Sequence, residues 1–169
     1  MRASSVGRVA GAFTLSDTPH SRVSLDDYRG RSLVLIFYVA DWHPTAIDQL
    51  RQTQAALPSF DKLGASIVGI STDTTWSHHA FAQALGLDFP LLSDDSPPGA
   101  VAAGYRVKGR GGRSRRATFV IDGQGIVRWG DIVPDEINPG IDGLLSVLER
   151  LHDAAACTRA AVIRLRPAG

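Results

Sequence analysis

The chain has 169 residues, of which 44% are hydrophobic and 21% charged, and its formal net charge is +1. This size and composition predict one soluble globular domain, and the small charge argues against a nucleic-acid partner. The single cysteine, Cys157, excludes an internal disulfide, a CxxC redox motif and a cysteine-based zinc site. Because no apolar stretch is long enough for a signal peptide or a membrane span, we expect a cytoplasmic protein.

The first part of the chain predicts short elements that lead to one strong strand. Residues 1–12 are small and polar and predict a flexible N-terminus. A short strand is predicted at 13–15, a turn at 16–19 and a helical turn at 23–30. The apolar run at 32–38 predicts the first buried strand.

A helix is predicted to begin near Pro44, directly after that strand, and to run to about Leu63. Pro58 predicts a kink or a break in this helix, and Gly64 predicts its C-terminal cap. Proteins often bind anions or hold activated nucleophiles where a buried strand feeds a helix N-terminus. We therefore expect the junction within residues 33–50 to be the centre of the protein.

The second half continues the alternation of strands and helices. A buried strand is predicted at 65–71, and a helix capped by Thr74 or Thr75 is predicted to end at Leu85. The remaining elements are predicted as an extended segment at 89–94, a helix at 97–105, a loop at 106–115, strands at 116–121 and 126–129 joined by a hairpin turn, and a helix at 141–151. This order predicts an α/β fold, with a mixed central sheet and helices on both faces.

Four stretches resemble the motifs of one family. FYVADWHPTA at 37–46 resembles the peroxiredoxin active-site segment, commonly FYP-x-x-[FW]-T/S-x-x-C. VGISTD at 68–73 resembles the strand end GISVD, FPLLSD at 89–94 is the same as a family motif, and RATFVID at 116–122 is the same as another. Order and spacing agree over 13–151. The chain is therefore similar to the peroxiredoxins, the alkyl hydroperoxide reductase and thiol-specific antioxidant proteins.

The resemblance implies a thioredoxin-like fold and a particular site. In the family, a cysteine in the first helical turn is held as a thiolate by the helix N-terminus and a nearby arginine. The thiolate attacks a peroxide and becomes a sulfenic acid. A threonine or serine orients the peroxide, a proline shields the thiolate, and the arginine holds the charge that develops as the O–O bond breaks.

Transferring these positions to the sequence shows what has changed. The cysteine position is Ala46, the hydroxyl position is His43 and the proline position is Val39, whereas the arginine is retained as Arg116. Many relatives have a further cysteine after a tryptophan in the helix predicted near residue 75, where this chain has Ser77. Since alanine has no nucleophilic atom, ordinary peroxiredoxin chemistry is excluded at this position.

The altered site leaves three candidate catalytic residues. His43 either caps the helix or faces solvent, or it projects into the old peroxide site as a general acid/base. Asp41 is close enough in sequence to orient it. Arg116 either serves packing and ion pairing, or it forms an oxyanion or carboxylate site with the helix N-terminus.

The candidate substrate-binding residues surround the same junction. Trp42 and Trp76 either pack at the rim or form walls for an apolar or aromatic ligand. Val39, Thr45 and Ala46 complete the predicted site. We expect no cofactor and no metal, because no HxH or HxxxH spacing is present, and we expect His78 and His79 to be exposed helix residues rather than ligands.

Three functions remain open. The first is a peroxiredoxin-like protein whose site binds, and converts by acid/base chemistry, a small organic molecule in bacterial specialised metabolism, a context suggested by the Arg-, Ala- and Gly-rich composition. The second is a non-catalytic binding or assembly partner, and in both cases the resemblance implies a homodimer. The third is an antioxidant that uses Cys157. An open cavity at His43 and Arg116 favours the first function, and a closed one favours the second.

The predicted domain organisation is simple. A single domain at 13–151 follows the flexible residues 1–12, and an Ala- and Arg-rich tail is predicted at 152–169. Interaction with nucleic acid or with a membrane is not expected.

Overall fold

The structure is a computed structural model that describes residues 5–164, with side chains described as far as residue 159. Its centre is a seven-stranded sheet. The strands are β1 (Thr14–Thr18), β2 (Ser21–Ser24), β3 (Ser32–Phe37), β4 (Ala65–Ser71), β5 (Leu91–Ser93), β6 (Ala117–Ile121) and β7 (Val127–Ile132). They are arranged in the order β2-β1-β5-β4-β3-β6-β7.

Five α-helices accompany the sheet. They are α1 (Pro44–Ala55), α2 (Leu57–Lys62), α3 (Thr75–Leu85), α4 (Ala100–Gly104) and α5 (Asp142–Arg164). Two short 3-10 helices lie at Leu25–Tyr28 and Arg110–Gly112. Within residues 5–164, no helix is both long and apolar enough to cross a membrane.

Strand β3 is the middle of the fold because it is paired on both sides. It pairs in parallel with β4 and antiparallel with β6. Its side chains alternate between two hydrophobic clusters, with Leu35 and Phe37 in one cluster and Val34 and Ile36 in the other. The first cluster includes Ala102 of α4, and the second includes Leu50 of α1, Phe60 of α2, Phe81 of α3 and Leu148 of α5. The predicted α/β fold with helices on both faces is confirmed.

Several local predictions are also confirmed. The long helix after Pro44 is broken between Ala55 and Leu57, next to Pro58, as a proline inside a helix requires. The Thr74 side chain caps α3 by accepting a hydrogen bond from the backbone of Ser77. Gly86 ends the same helix in the left-handed conformation, with φ of 63°.

Other boundaries differ from the prediction. The turn predicted at 16–19 is wrong, because β1 runs to Thr18 and pairs with β2, a polar and exposed strand that gives no apolar signal. Helix α5 does not end at Leu151 but continues to Arg164, since the alanines at 154–156 favour helix.

The N-terminal segment contacts the sheet where it is described. The backbone N–H of Gly7 donates to the carbonyl of Val127 (2.7 Å), and that of Ala10 donates to Gly125 (2.9 Å). The first residues of the predicted flexible segment and the end of the predicted tail lie outside the described residues. The domain limits at residues 12 and 151 therefore stay predictions.

Candidate functional site

The junction between β3 and α1 places Ala46 in the first turn of a helix. His43 is the N-cap residue, and its carbonyl accepts hydrogen bonds from the backbone N–H groups of Ala46 (2.9 Å) and Ile47 (3.0 Å). Pro44 is at a first-turn position, where its missing N–H costs nothing. Ala46 has no exposed surface, so the position that the resemblance assigns to a cysteine is inside the protein.

Arg116 lies next to this junction. It immediately precedes β6, in which Ala117 pairs with Phe37 at the end of β3. The Arg116 side chain is fully buried, its Nη1 donates to the Gln49 side chain, and its Nε donates to the carbonyl of Asp135 (3.1 Å). Gln49 is one helical turn beyond Ala46, so the guanidinium is fixed against the inner face of α1.

Burial makes the charged form of the Arg116 guanidinium less favourable. Burial lowers the pKa of Arg116 below its usual value, although the charges of Asp135 and Glu136 oppose this shift. The Asp135 carboxylate accepts a hydrogen bond from the Arg116 backbone N–H (3.1 Å). A further negative charge would therefore stabilise the guanidinium.

Two buried polar atoms at this junction have no hydrogen-bond partner among the described residues. One is Nη2 of Arg116, and the other is Nδ1 of His43. Leaving a buried donor unpaired costs about 1–3 kcal/mol, and more for a charged group. Such atoms are therefore the places where a bound group is expected.

Asp41 does not orient His43. Its carboxylate accepts hydrogen bonds from the Tyr38 hydroxyl (2.8 Å), the Ser77 hydroxyl (2.7 Å) and Nδ1 of His78 (2.9 Å). Both oxygens accept from these partners, whereas Nδ1 of His43 has no hydrogen-bond partner among the described residues, so the structure does not show the predicted pairing. Burial, followed by the charge of Asp41, raises the pKa of Tyr38 well above its usual value, which keeps its hydroxyl a donor.

His78 is a buried residue, contrary to the expected exposed position. Its side chain is 2% exposed, whereas the neighbouring His79 is exposed as predicted. Nε2 of His78 contacts the carbonyl of Leu92 on β5 (3.2 Å). The ring therefore joins β5 to the loop that follows β3, through Asp41.

Asp73 extends this polar cluster to the loop after β4. It accepts hydrogen bonds from the backbone N–H of Asp41 (2.8 Å) and the hydroxyl of Ser71 (2.7 Å). Its own carbonyl accepts from the Ser93 hydroxyl (2.5 Å). The loops that follow β3 and β4 are thus joined to each other and to the end of β5 beside the candidate site.

The two tryptophans lie on the outside of the site. Trp42 is 52% exposed and Trp76 is 72% exposed. Trp42 has a left-handed backbone, with φ of 61°, and packs on Phe81 with ring centroids 5.1 Å apart. Val39 and Thr45 are half-buried. That these side chains enclose a ligand stays a prediction.

The site is closed around Ala46. Ala46 and Arg116 have no exposed surface, while His43 is half-buried. Two cavities, of about 620 and 960 Å³, lie at the opposite end of the sheet from Ala46. Both are lined by residues next to the start of β3. Access to Arg116 therefore requires movement at His43 or its neighbours.

Neither a metal cluster nor an activated thiol is present in the part of the chain that the structure describes. No group of three His, Cys, Asp or Glu side chains is placed to hold a metal ion within residues 5–164. Cys157 is exposed and lies in the interior of α5, not at a helix N-terminus. Cys157 therefore lacks the helix N-terminus at which the family places its reactive cysteine.

Three residues of the site were not predicted from the sequence. Gln49 could have been found, because it is three residues beyond Ala46 on the same face of α1. His78 could also have been found, because it is three residues before the buried Phe81. Asp135 lies in a loop after β7, where no periodicity marks it.

Comparisons with known proteins agree with this geometry. The AhpC/TSA family matches residues 6–130. The chain is 35% identical to alkyl hydroperoxide reductase E of Mycobacterium tuberculosis over 129 residues, which are 75% of this chain and 84% of that protein. It is 36% identical to chloroplastic peroxiredoxin Q of Suaeda salsa over 124 residues, 73% of this chain but 58% of that protein, so it spans less than two thirds of that relative.

Solved structures give the same result. The peroxidoxin BcpB of Mycobacterium tuberculosis matches with a TM-score of 0.77 at 30% identity, over 89% of this chain and 98% of that one. The reduced 2-Cys peroxiredoxin of Plasmodium vivax matches with a TM-score of 0.82 at 23% identity, over 90% of this chain and 84% of that one, and supports the fold alone. The chain belongs to the AhpC/TSA family of peroxiredoxins, and its single cysteine lies outside the residues that the family matches.

Proposed function

We propose that this chain is not a thiol peroxidase and that Arg116 and the N-terminus of α1 bind a small organic anion. The observation that carries the proposal is Nη2 of Arg116, which is fully buried and has no partner among the described residues. Ala46 supplies no nucleophile, so the anion would take the place that a thiolate occupies in the family. The site residues are thus used for binding rather than for redox chemistry.

A carboxylate suits this site for electrostatic reasons. Its negative charge would offset the cost of burying the Arg116 guanidinium, which lowers the pKa of Arg116. Its oxygen would accept a charge-assisted hydrogen bond from Nη2. The first turn of α1 adds the positive end of the helix dipole, and the backbone N–H of Thr45 lies in that turn. We infer that the ligand enters past His43, which is half-buried.

His43 is the proposed acid/base of any conversion. Its Nδ1 lacks a partner among the described residues, which supports a contact with the ligand. In this proposal Val39, Thr45 and Trp42 line the entrance, and Trp76 forms its outer wall. Asp41 is not assigned to the chemistry, because its oxygens hold Tyr38, Ser77 and His78. A step in bacterial specialised metabolism would suit such a site.

Thermal-shift measurements with benzoate and the neutral benzamide test the anion site. Benzoate, but not benzamide, is expected to raise the melting temperature of the wild type. Arg116→Lys keeps the positive charge but loses the paired N–H donors of the guanidinium. At least about ten times more benzoate should therefore be needed for the same shift in melting temperature, as the loss of one charge-assisted hydrogen bond implies. Arg115→Lys, at an exposed neighbour, is the matched control.

Two results would contradict the proposal. Equal stabilisation by benzoate and benzamide would exclude an anion site. Equal responses of the Arg116 and Arg115 variants would show that benzoate binds elsewhere.

A non-catalytic assembly role is the second candidate, and a homodimer is its simplest form. The closed surface over Ala46 and Arg116 favours it, as do the exposed rings of Trp42 and Trp76. Light scattering after gel filtration should give the mass of a dimer, and Trp76→Ser should shift it toward the monomer. A wild type that stays monomeric at high protein concentration would exclude this assembly.

A further inference from the structure

A second site is suggested by the cleft of about 960 Å³ at the opposite end of the sheet from Ala46. Four parts of the chain line it: the start of β3, the connection from α2 to β4, the turn between β6 and β7, and the second half of α5. Its volume is in the range of small-molecule sites, about 300–1,000 Å³. It does not overlap the anion site proposed above.

Helix α5 creates this cleft by extending beyond the core. Leu148 is buried and Leu151 is half-buried, whereas residues 153–159 are exposed. Nδ1 of His152 is 3.3 Å from the carbonyl of Leu63 and holds the helix over the end of α2. This part of α5 lies outside residues 6–130, the range that the family matches. One wall of the cleft is therefore formed by a segment beyond the family match.

The lining is strongly basic. Four cationic side chains and two carboxylates line the cleft, so the formal charge of the lining is +2 with histidine neutral. The net charge of the whole chain is +1. The charged lining residues are Arg31, Lys62, Arg128, Arg159, Asp61 and Asp122. A cleft lined by an excess of one charge concentrates ligands of the opposite charge.

Not all of these cations are neutralised within the protein. Arg128 donates to the Asp122 carboxylate (2.6 Å), and Nε of Arg159 contacts the carbonyl of Ala155 in its own helix (3.4 Å). Among residues 5–159, whose side chains the structure describes, the side chains of Arg31 and Lys62 make no hydrogen bond or ion pair. These two cations come from different elements and face the same cleft. They can therefore hold a group that carries more than one negative charge.

Part of the remaining lining is apolar, although Ser32, Gln124, His152 and Thr158 are polar. Leu63 belongs to the connection after α2, while Leu151, Ala154 and Ala155 belong to α5. Such a surface suits the flat, weakly polar part of an organic molecule, since most ligand sites combine an apolar lining with a few placed polar groups.

We propose that this cleft binds an organic phosphate of nucleotide size. Arg31 and Lys62 contact the phosphates, and the organic part lies against Ala154 and Ala155 of α5. Binding at this site would be independent of Arg116 and of any chemistry at Ala46.

Isothermal titration with ATP, adenosine and inorganic tripolyphosphate at low and high salt tests this proposal. ATP should bind, adenosine should not, and tripolyphosphate should bind more weakly than ATP. Arg31→Gln and Lys62→Gln should each weaken ATP binding at least about tenfold, as removal of one charged contact predicts. Arg51→Gln removes an equivalent exposed charge from α1, outside the cleft, and should change binding less than about twofold.

A steric variant complements the charge variants. Ala155→Trp fills the cleft from α5 and should abolish ATP binding, while circular dichroism shows whether the helix is retained. The proposal is overturned if the wild type does not bind ATP, or if Arg51→Gln weakens binding as much as the lining variants. Adenosine binding as tightly as ATP would exclude the phosphate contacts, and tripolyphosphate binding as tightly as ATP would exclude the organic part.

Discussion

Ala46→Cys, introduced together with Cys157→Ser, is expected to give the protein one activated thiol. The position is in the first turn of α1, and Arg116 is fixed one turn along the same helix through Gln49. A helix N-terminus and a nearby cation both stabilise a thiolate. The scaffold that activates a cysteine is therefore still present, although the nucleophile is not.

The expected gain is large enough to measure. An ordinary thiol with a pKa of about 8.5 is about 3% ionised at pH 7, whereas one lowered to about 6 is about 90% ionised, a difference of about thirtyfold in thiolate. The test is the rate of sulfenic acid formation with hydrogen peroxide, followed by trapping with dimedone and mass spectrometry. Wild type and Cys157→Ser should both leave peroxide unconsumed, which also tests the antioxidant alternative for Cys157.

Two controls separate the scaffold from the thiol itself. Ala46→Ser in the same background adds a polar atom without a thiol and should stay inactive. Adding Arg116→Gln to the cysteine variant should raise the pKa of the new thiol and slow its oxidation at pH 7. If the new cysteine reacts no faster than a free thiol in solution, restoring the nucleophile is not sufficient. The changes at the hydroxyl position (His43) and the proline position (Val39) would then also have disrupted the peroxide site. Faster peroxide consumption by wild type than by Cys157→Ser would instead restore the antioxidant alternative.

The strand and helix that carry this site could be predicted from the sequence, whereas the contacts between its side chains could not. Strand β3 and the start of α1 were predictable, because a run of apolar residues followed by a proline at a first-turn position has few alternatives. The contact between Arg116 and Gln49 depends on how β6 lies against α1, and a local pattern does not contain that information. Asp135 reaches Arg116 from a loop, where sequence periodicity gives no guidance.

His78 shows how a local pattern can mislead. Two histidines near the N-terminus of a helix resemble a solvated polar face, yet one is buried and its neighbour is exposed. The distinction depends on Asp41, which is 37 positions away in the chain and lies beside α3 only after the sheet has formed. The C-terminal half of α5 is a similar case, because alanines allow both helix and loop when no apolar face is required.

His78→Ala is expected to cause the largest loss of stability. Both ring nitrogens of His78 lie within hydrogen-bond distance of a buried oxygen, Nδ1 of the Asp41 carboxylate (2.9 Å) and Nε2 of the Leu92 carbonyl (3.2 Å). Without the ring both oxygens lose this buried contact, and each buried group left unpaired costs about 1–3 kcal/mol, and more when it is charged. For a domain of this size the melting temperature should fall by roughly 10 °C.

Urea unfolding provides the comparison that isolates this effect. His79→Ala removes the same side chain from the next position of α3, where the histidine is exposed, and should change stability by less than about 0.5 kcal/mol. If the two variants lose the same amount of stability, the buried contacts of His78 do not contribute to it. Asp41→Asn, measured alone and combined with His78→Ala, completes a double-mutant cycle whose coupling energy measures the pair itself.

The same variant connects stability to the candidate site. Asp41 is two residues before His43, and its backbone and side chain fasten this loop to α3 and to Asp73. Without His78, the loop keeps its contacts with Asp73 and Ser77 but loses the link to Leu92 that His78 provides, so His43 should become more mobile. His78→Ala is therefore expected to weaken benzoate binding under conditions where the protein is still folded, even though Arg116 is unchanged. Unchanged benzoate affinity would mean that Arg116 and α1 hold the anion without help from the loop, and that the polar cluster serves only the fold.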